Sequence, residues 1–529
     1  MAHSQPPFAQ HYHDRTKYTP AAIAAQNRQL DWANQPLPFK DYKVGRTINL
    51  KPYLDNRQPE QALPPTSDLP LGASAAVSAG SDSNLTPDFW YRLSRFLLNS
   101  YGITATITPL SGDSVYLRAA PSAGGLYPAE LYLISRGTPE LAAGLYHYDS
   151  RAHRLRQFWD AEVWTALQSA CCWHPALLQT QLAVVTTAVY FRSVWRYQAR
   201  AYRRICLDSG HLWGNLELAS MLVDFRLHLI GGFRDELMNQ LLYLDSAQEG
   251  VMAIAALTDR LKLAENLSHF QTTLPSSVAQ DYAQFTEGEL VPHMVQATTI
   301  ATDLTYRKTA VTPPKQREDK AKLPFGTAVA AIAAPLPWGD GQRELERTIL
   351  KRRSTRRYTG LDLELEQVAA ILGFAYHPEL YLDQQFDPTP DYFDLSLIST
   401  FVVALGVNGL DPGCYGYVPG DNILRQVRFK VQRQAVHQLC LGQDLGRDAG
   451  AIIVHSANLA TAIARHGDRA YRYLHLDAGH LGQRLNLAAI RLGLGASGIA
   501  GFYDDQVNDL LGISPTEAVL YLTTLGQPR

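Results

Sequence analysis

Two short stretches carry residue types suited to holding an anion and approaching a flat ligand. Lys351-Arg-Arg-Ser-Thr-Arg-Arg-Tyr358 gathers five cations and two aliphatic hydroxyls beside a short turn. A guanidinium binds a phosphate through paired, charge-assisted hydrogen bonds worth about 1.5–3 kcal/mol each. The same residues would also make a solvated basic face at a helix N-terminus. Pro121-Ser-Ala-Gly-Gly-Leu-Tyr-Pro128 places two adjacent glycines before an apolar run at Leu131. Such glycines permit positive φ or a close backbone approach to a ligand, or simply a turn into a strand. Asp208 and His211, like Asp477 and His480, stand three residues apart on predicted helices, where a local side-chain pair is within reach. Their presence twice favours helix packing over catalysis. His11-Tyr-His13-Asp14 lacks the wider ligand cluster that zinc needs, so no metal site is expected. Trp195, Trp213 and the many tyrosines read as core or interface.

The elements that must position these residues are written twice. Arg200-Ala-Tyr-Arg203 recurs as Arg469-Ala-Tyr-Arg472, 269 residues later. The same offset carries Gly144-x-Tyr-x-Tyr148 onto Gly413-x-Tyr-x-Tyr417, and Asp208-x-Gly-His211 onto Asp477-x-Gly-His480. It also carries Ile230, Gly232, Phe233 and Asp235 onto Ile499, Gly501, Phe502 and Asp504. One register kept over roughly 100 residues is a duplicated domain, too long a period for a solenoid. The expectation is two copies packed about an approximate two-fold axis. Short β-rich runs (Leu131–Ile134, Ala183–Tyr190, Phe401–Val403, Ala451–His455) alternate with helical spacing over Ala199–Phe225 and Asp468–Leu492. This predicts an α+β fold with one helix-covered sheet per copy. The expected layout is a proline-rich, irregular extension (1–70), a first domain (71–262), a linker (263–340) and a second domain (341–529). The copies differ where chemistry is expected. Around Ser78–Asn84 the first copy has no arginine or lysine, and at Pro390–Leu397 the second has lost both glycines. Each copy thus keeps a different half of one potential site.

The whole chain sets bounds on the rest. Its 529 residues give each half enough length for a core of its own, and 46% hydrophobic with 19% charged residues is ordinary for a globular protein. A formal net charge of −2 removes the electrostatic case for a nucleic-acid binder. No apolar run approaches the roughly 20 residues of a membrane span, and the N-terminus does not read as a signal peptide. Five cysteines with no ligand-like spacing read as reduced thiols. A soluble, cytoplasmic protein is the expectation.

On Arg-Arg-Ser-Thr-Arg at 352–356, Pro-Ser-Ala-Gly-Gly-Leu-Tyr-Pro at 121–128, the two Asp-x-Gly-His stretches and Gly-Ile-Ala-Gly-Phe at 498–502, the sequence resembles the flavin-dependent nitroreductase superfamily. Within it the likeness is to the SagB/ThcOx-type peptide azoline dehydrogenases. That resemblance implies a nitroreductase-like fold present twice as an intramolecular pseudo-dimer, with FMN between the copies. It assigns the phosphate to Arg352, Arg353, Ser354 and Arg356, with Arg529 as a basic residue near the chain end. Pro121, Ser122 and Ala123 would approach the ring from the first copy, and Gly498, Ile499, Ala500 and Gly501 would supply amides near flavin N5. A second site would lack two arginine contacts, a loss of roughly 3–6 kcal/mol or about 10²–10⁴ in affinity, so one FMN per chain is expected. The resembling dehydrogenases use a Lys-Tyr pair, and the matching positions here are Arg196-Tyr197 and Arg465-His466. Arginine is a poor base, which leaves Tyr197 or His466 to move a proton. The implied activity is FMN-dependent oxidation of a peptide or small natural-product intermediate, azoline to azole among the options. Other biosynthetic enzymes are conceivable partners. The alternatives are an NAD(P)H-dependent nitro or quinone reductase and a flavin-free scaffold that binds a leader peptide.

Overall fold

Leu182-Ala-Val-Val-Thr-Thr-Ala-Val189 and Ala451-Ile-Ile-Val-His-Ser-Ala-Asn458 are β-branched-rich, free of proline and apolar on both faces, so each forms a strand covered on both sides. In the computed structural model, which describes residues 5–25, 29–54, 86–108, 114–262, 270–301 and 327–529, each lies inside a seven-stranded sheet. The first sheet contains β1 (Arg46–Asn49), β2 (Ala129–Ser135), β3 (Gly144–Asp149), β4 (Arg154–Trp159), β5 (Leu182–Val189), β6 (Phe225–Ile230) and β7 (Glu249–Asp259). Their spatial order is β1-β4-β3-β2-β5-β7-β6, all neighbours antiparallel. The second contains β8 (Ala328–Ala330), β9 (Ser399–Ala404), β10 (Gly413–Val418), β11 (Ile423–Phe429), β12 (Ala451–Asn458), β13 (Gly495–Ile499) and β14 (Glu517–Gly526). Its order, β8-β11-β10-β9-β12-β14-β13, repeats the first. β3, β4 and β5 start 269 residues before β10, β11 and β12, so the sequence repeat is a repeat of fold.

The core between the sheets is a pair of long helices, α1 (Ala201–Met221) and α2 (Ala470–Arg491). Both are buried nearly all round, which explains their weak amphipathicity. They cross at the repeated glycines: a Cβ built on Gly210 would lie 2.9 Å from Gly479 Cα, and one on Gly479 would lie 2.3 Å from the Leu207 carbonyl oxygen. Beside the crossing, the repeated arginines of each copy grip the repeated aspartate of the other. Arg200 and Arg203 each reach Asp504 at 2.7 Å, while Arg469 and Arg472 reach Asp235 at 2.6 and 2.7 Å.

The described parts of the N-terminal extension (1–70) and of the connector (263–340) include helices and edge strands built into the fold. Helix Phe8–Arg15 ends at Thr16, whose carbonyl and hydroxyl accept from Arg200 and Arg203. Helix Leu290–Ala297 ends at Thr298, which does the same for Arg469 and Arg472. β1 and β8 likewise extend the two sheets at equivalent edges. Ser78–Asn84 and residues 302–326 lie outside the described residues. Among those described, no helix is long and apolar enough to cross a membrane.

Candidate functional site between the copies

The arginine cluster follows a helix rather than opening one. Helix Arg343–Lys351 ends, and Arg352–Arg357 runs on beside the edge of β13, held where the Thr355 N–H donates to the Ala496 carbonyl (2.9 Å). Arg352 reaches into the first copy: its Nε donates to the Ala119 carbonyl (2.7 Å) and Nη2 to that of Arg118 (3.1 Å). Its Nη1 is buried with no partner among the described residues. Burial draws this guanidinium down to about 10, so it stays cationic at neutral pH. Arg353 donates to Thr104 Oγ1 of the first copy (3.0 Å), Ser354 is half-buried, and Arg356 is exposed. The chain end returns to this loop, where the Arg529 N–H donates to the Arg357 carbonyl (3.2 Å).

From the first copy comes the Pro121–Gly125 turn, with φ of +65° at Gly124 and +67° at Gly125. Ser122 Oγ donates to Asp208 Oδ2 (2.5 Å) and accepts from the Tyr127 N–H (2.8 Å), and the Ala123 N–H donates to the same carboxylate (3.1 Å). Ser122's hydroxyl is therefore committed to holding the turn, and what the turn can offer a ligand is its backbone. A Cβ on Gly124 would meet Tyr197 Oη at 2.8 Å, which places Tyr197 over the turn. Asp208 is the positioning group that sequence reasoning missed. Burial pushes its carboxyl up to about 7, against the pull of Ser122, the Ala123 N–H and Arg204. A carboxyl raised in the folded state makes stability fall as pH rises from its unfolded value near 4 through about 7. Asp208→Asn should remove that decline, on the order of a few kcal/mol, when urea unfolding is compared with wild type at pH 5 and pH 8.

The third wall is the end of β13. Gly498 is exposed, and a Cβ there would lie 1.7 Å from Tyr521 Oη. Tyr521 Oη bonds His211 Nε2 (2.8 Å), and His211 Nδ1 bonds Gln483 Oε1 (3.0 Å). The Asp208–His211 pair that the spacing permits is not formed, because Asp208 serves its own copy's turn while His211 crosses to the other copy. His480 likewise reaches Glu217 across the interface (3.3 Å), and Asp477 bonds the Phe393 and Asp394 N–H groups. Among the described residues no oxygen accepts from the Ala500 or Gly501 N–H, and Arg204 Nη2 would lie 3.5 Å from a Cβ on Gly501.

The counterpart position, related by the approximate two-fold, is filled. The Gly231 and Gly232 N–H groups, equivalent to Ala500 and Gly501, both donate to the Thr272 carbonyl (2.7 and 3.0 Å). The Phe393 ring occupies the space over Gly231, 2.5 Å from where a Cβ would be, and stacks on Tyr473 with centroids 5.1 Å apart. His466 belongs to this filled side, its Nε2 on Asp394 Oδ2 (2.9 Å). Of the residues expected at a site, the structure brings together Pro121–Ala123, Tyr197, the 352–356 loop, Gly498–Gly501 and Arg529, and sets His466 apart from them. A separate cavity of about 1100 Å³ lies beside helix Leu290–Ala297, where its buried ions, Asp235 and Arg472, already pair with each other.

The model of the family described as "Nitroreductase family" matches residues 101–257 and 349–527, one segment in each copy. The chain belongs to the nitroreductase family. A crystal structure of a candidate nitroreductase from Anabaena variabilis ATCC 29413 is 52% identical, with a TM-score of 0.89 over 99% of this chain and 100% of that one. The candidate nitroreductase MJ1384 of Methanocaldococcus jannaschii is 29% identical over 187 residues, 35% of this chain and 91% of that protein. The trifolitoxin-processing protein TfxB of Rhizobium leguminosarum bv. trifolii is 27% identical over 247 residues, 42% of this chain and 66% of that protein. The nitroreductase fold is therefore present twice, and the two copies form a pseudo-dimer within one chain.

Proposed function

We propose that this nitroreductase-family protein is an FMN-dependent oxidoreductase with one cofactor site per chain, acting on a peptide or small natural-product intermediate. The observation that carries the reading is the contrast between the two interface positions: one keeps free amides and a buried, unpartnered arginine N–H, while the other is filled by Phe393 and Thr272. A buried guanidinium with an unused donor, beside a serine and two further arginines, fits a phosphate monoester. Bound FMN would supply hydride transfer. Arg352, Arg353, Ser354, Arg356 and Arg529 would hold its phosphate, the Pro121–Ala123 backbone would approach the ring, and the Ala500 and Gly501 amides would face it.

Tyr197 is the proton-moving residue of this reading, since His466 is held by Asp394 on the filled side. Burial raises the Tyr197 phenol above its ordinary value, against the pull of Arg204 and Arg196, so at neutral pH it donates a proton or a hydrogen bond. That favours keeping a second reading, an NAD(P)H-dependent reductase that needs a proton donor; rapid bleaching of bound flavin by NAD(P)H alone would select it. The relative named for processing trifolitoxin supports the first, with azoline oxidation as its most specific form and other biosynthetic enzymes as partners.

The test is the visible spectrum of the purified protein and the FMN released per chain. The expected result is one FMN per chain. Arg352→Ala should weaken FMN binding roughly 10- to 100-fold, the loss of one charge-assisted contact. Two FMN per chain, or none after incubation with excess FMN, would overturn the reading.

A further inference from the structure

We propose that Arg204 binds an anionic group, a carboxylate or phosphate, carried by the molecule that reacts at this site; the inference rests on the flavin reading above. Arg204 comes from the first turns of α1 and is 8% exposed. Its Nε is buried without a partner, and no carboxylate oxygen lies within ion-pair distance among the described residues. The guanidinium lies 4.0 Å from the centre of the Tyr197 ring and presents Nη2 to Gly501. The nearest acid along the helix, Asp208, has its oxygens taken by Ser122 and the Ala123 N–H, and its raised pKa leaves it partly neutral at pH 7. An isolated buried cation is costly unless something completes it.

Two further observations assign the missing partner to a ligand at the reacting end. The residue equivalent to Arg204 in the second copy is Tyr473, which bonds the Gly231 and Leu274 carbonyls and supports the Phe393 plug, so the cation is confined to the open side. Arg204 and Arg352 also have different surroundings. Arg352 is anchored on the Ala119 and Arg118 carbonyls beside the phosphate-type loop, whereas Arg204 lies against the Tyr197 ring and the chain at Gly501. With Arg352 assigned to the cofactor's phosphate, Arg204 is left for a second anion.

The experiment titrates FMN-loaded and FMN-free protein with benzoate and with its neutral isostere benzamide, by calorimetry and by the bound flavin's visible spectrum. Wild type should bind benzoate about tenfold to a hundredfold tighter than benzamide. R204Q should abolish that preference through benzoate alone, with benzamide affinity and FMN per chain unchanged. If R204Q melts earlier than wild type, R204K carries the test: it keeps the charge but not the fork, and should lose severalfold of the preference, whereas a full preference overturns the proposal. No preference in wild type, or an undiminished one in R204Q, also overturns it. FMN content that falls in R204Q at an unchanged melting temperature gives the anion to the cofactor and sinks the assignment to a reacting molecule. Should the protein take up no FMN, the flavin reading fails by itself. Calorimetry on the FMN-free protein then still decides Arg204, since benzoate binding lost in R352A but kept in R204Q counts against it.

Discussion

Asp504→Ala should cost the folded chain about 3–5 kcal/mol, the loss expected when one partner of a buried ion cluster is removed. Asp504 is 1% exposed, and its two oxygens receive Arg200 and Arg203 at 2.7 Å. Without it, two guanidiniums remain buried with Thr16 and the His13 carbonyl as their acceptors among the described residues. The arginines hold the Asp504 carboxyl well below its ordinary range. A carboxyl depressed in the folded state contributes stability that is complete above its unfolded value, near 4, and is lost as pH falls below it. Wild type should therefore weaken steeply on acidification, and Asp504→Asn, already weakened at pH 7, should show a flatter decline. Urea unfolding between pH 7 and pH 3 measures both, and an Asn variant with the wild-type slope would remove Asp504 from the account.

Gly479→Ala should destabilise by about 1–3 kcal/mol, and Gly479→Val by more, although alanine is the better helix former by about 1 kcal/mol. Packing reverses the sign. The new Cβ would lie 2.3 Å from the Leu207 carbonyl oxygen and 3.0 Å from Gly210 Cα, both backbone atoms that move only if α1 and α2 separate. Gly373 supplies the control: it lies in helix Leu365–Tyr376 with open space where its Cβ would go, so Gly373→Ala should be neutral or stabilising by up to about 1 kcal/mol. Matching thermal shifts in the two alanine variants would contradict the helix-crossing account.

What could be read from the residues followed the 269-residue register. The strands, both central helices and the pairing of unlike halves at one interface were legible because apolar periodicity and repeat identity are local signals. The repeated Arg-Ala-Tyr-Arg, the histidines of Asp-x-Gly-His and Asp235/Asp504 were visible but not their purpose, because the contacts they make are between copies. The equivalence of Thr16 and Thr298 was hidden for another reason: they are 282 residues apart, outside the register, and only their places at the ends of two eight-residue helices relate them. Arg204 was within reach, since the offset pairs it with Tyr473 and so marks a difference inside a conserved run of the repeat. Asp208 read as a helix-packing residue because nothing local ties it to Ser122, 86 positions away.

The filled and open positions have a consequence for how such a protein can change over time. When two identical chains assemble, every substitution is imposed on both interfaces at once, so a phenylalanine that plugs one pocket plugs its twin. Encoding both halves in one reading frame releases that constraint, and Phe393 can occupy one position while Gly124 keeps the other clear. Tandem linkage also makes pairing intramolecular, so that it no longer depends on the concentration of the protein. The interface should therefore survive dilution that would separate two free subunits, and one interface position is at liberty to specialise in binding while its counterpart serves as scaffold.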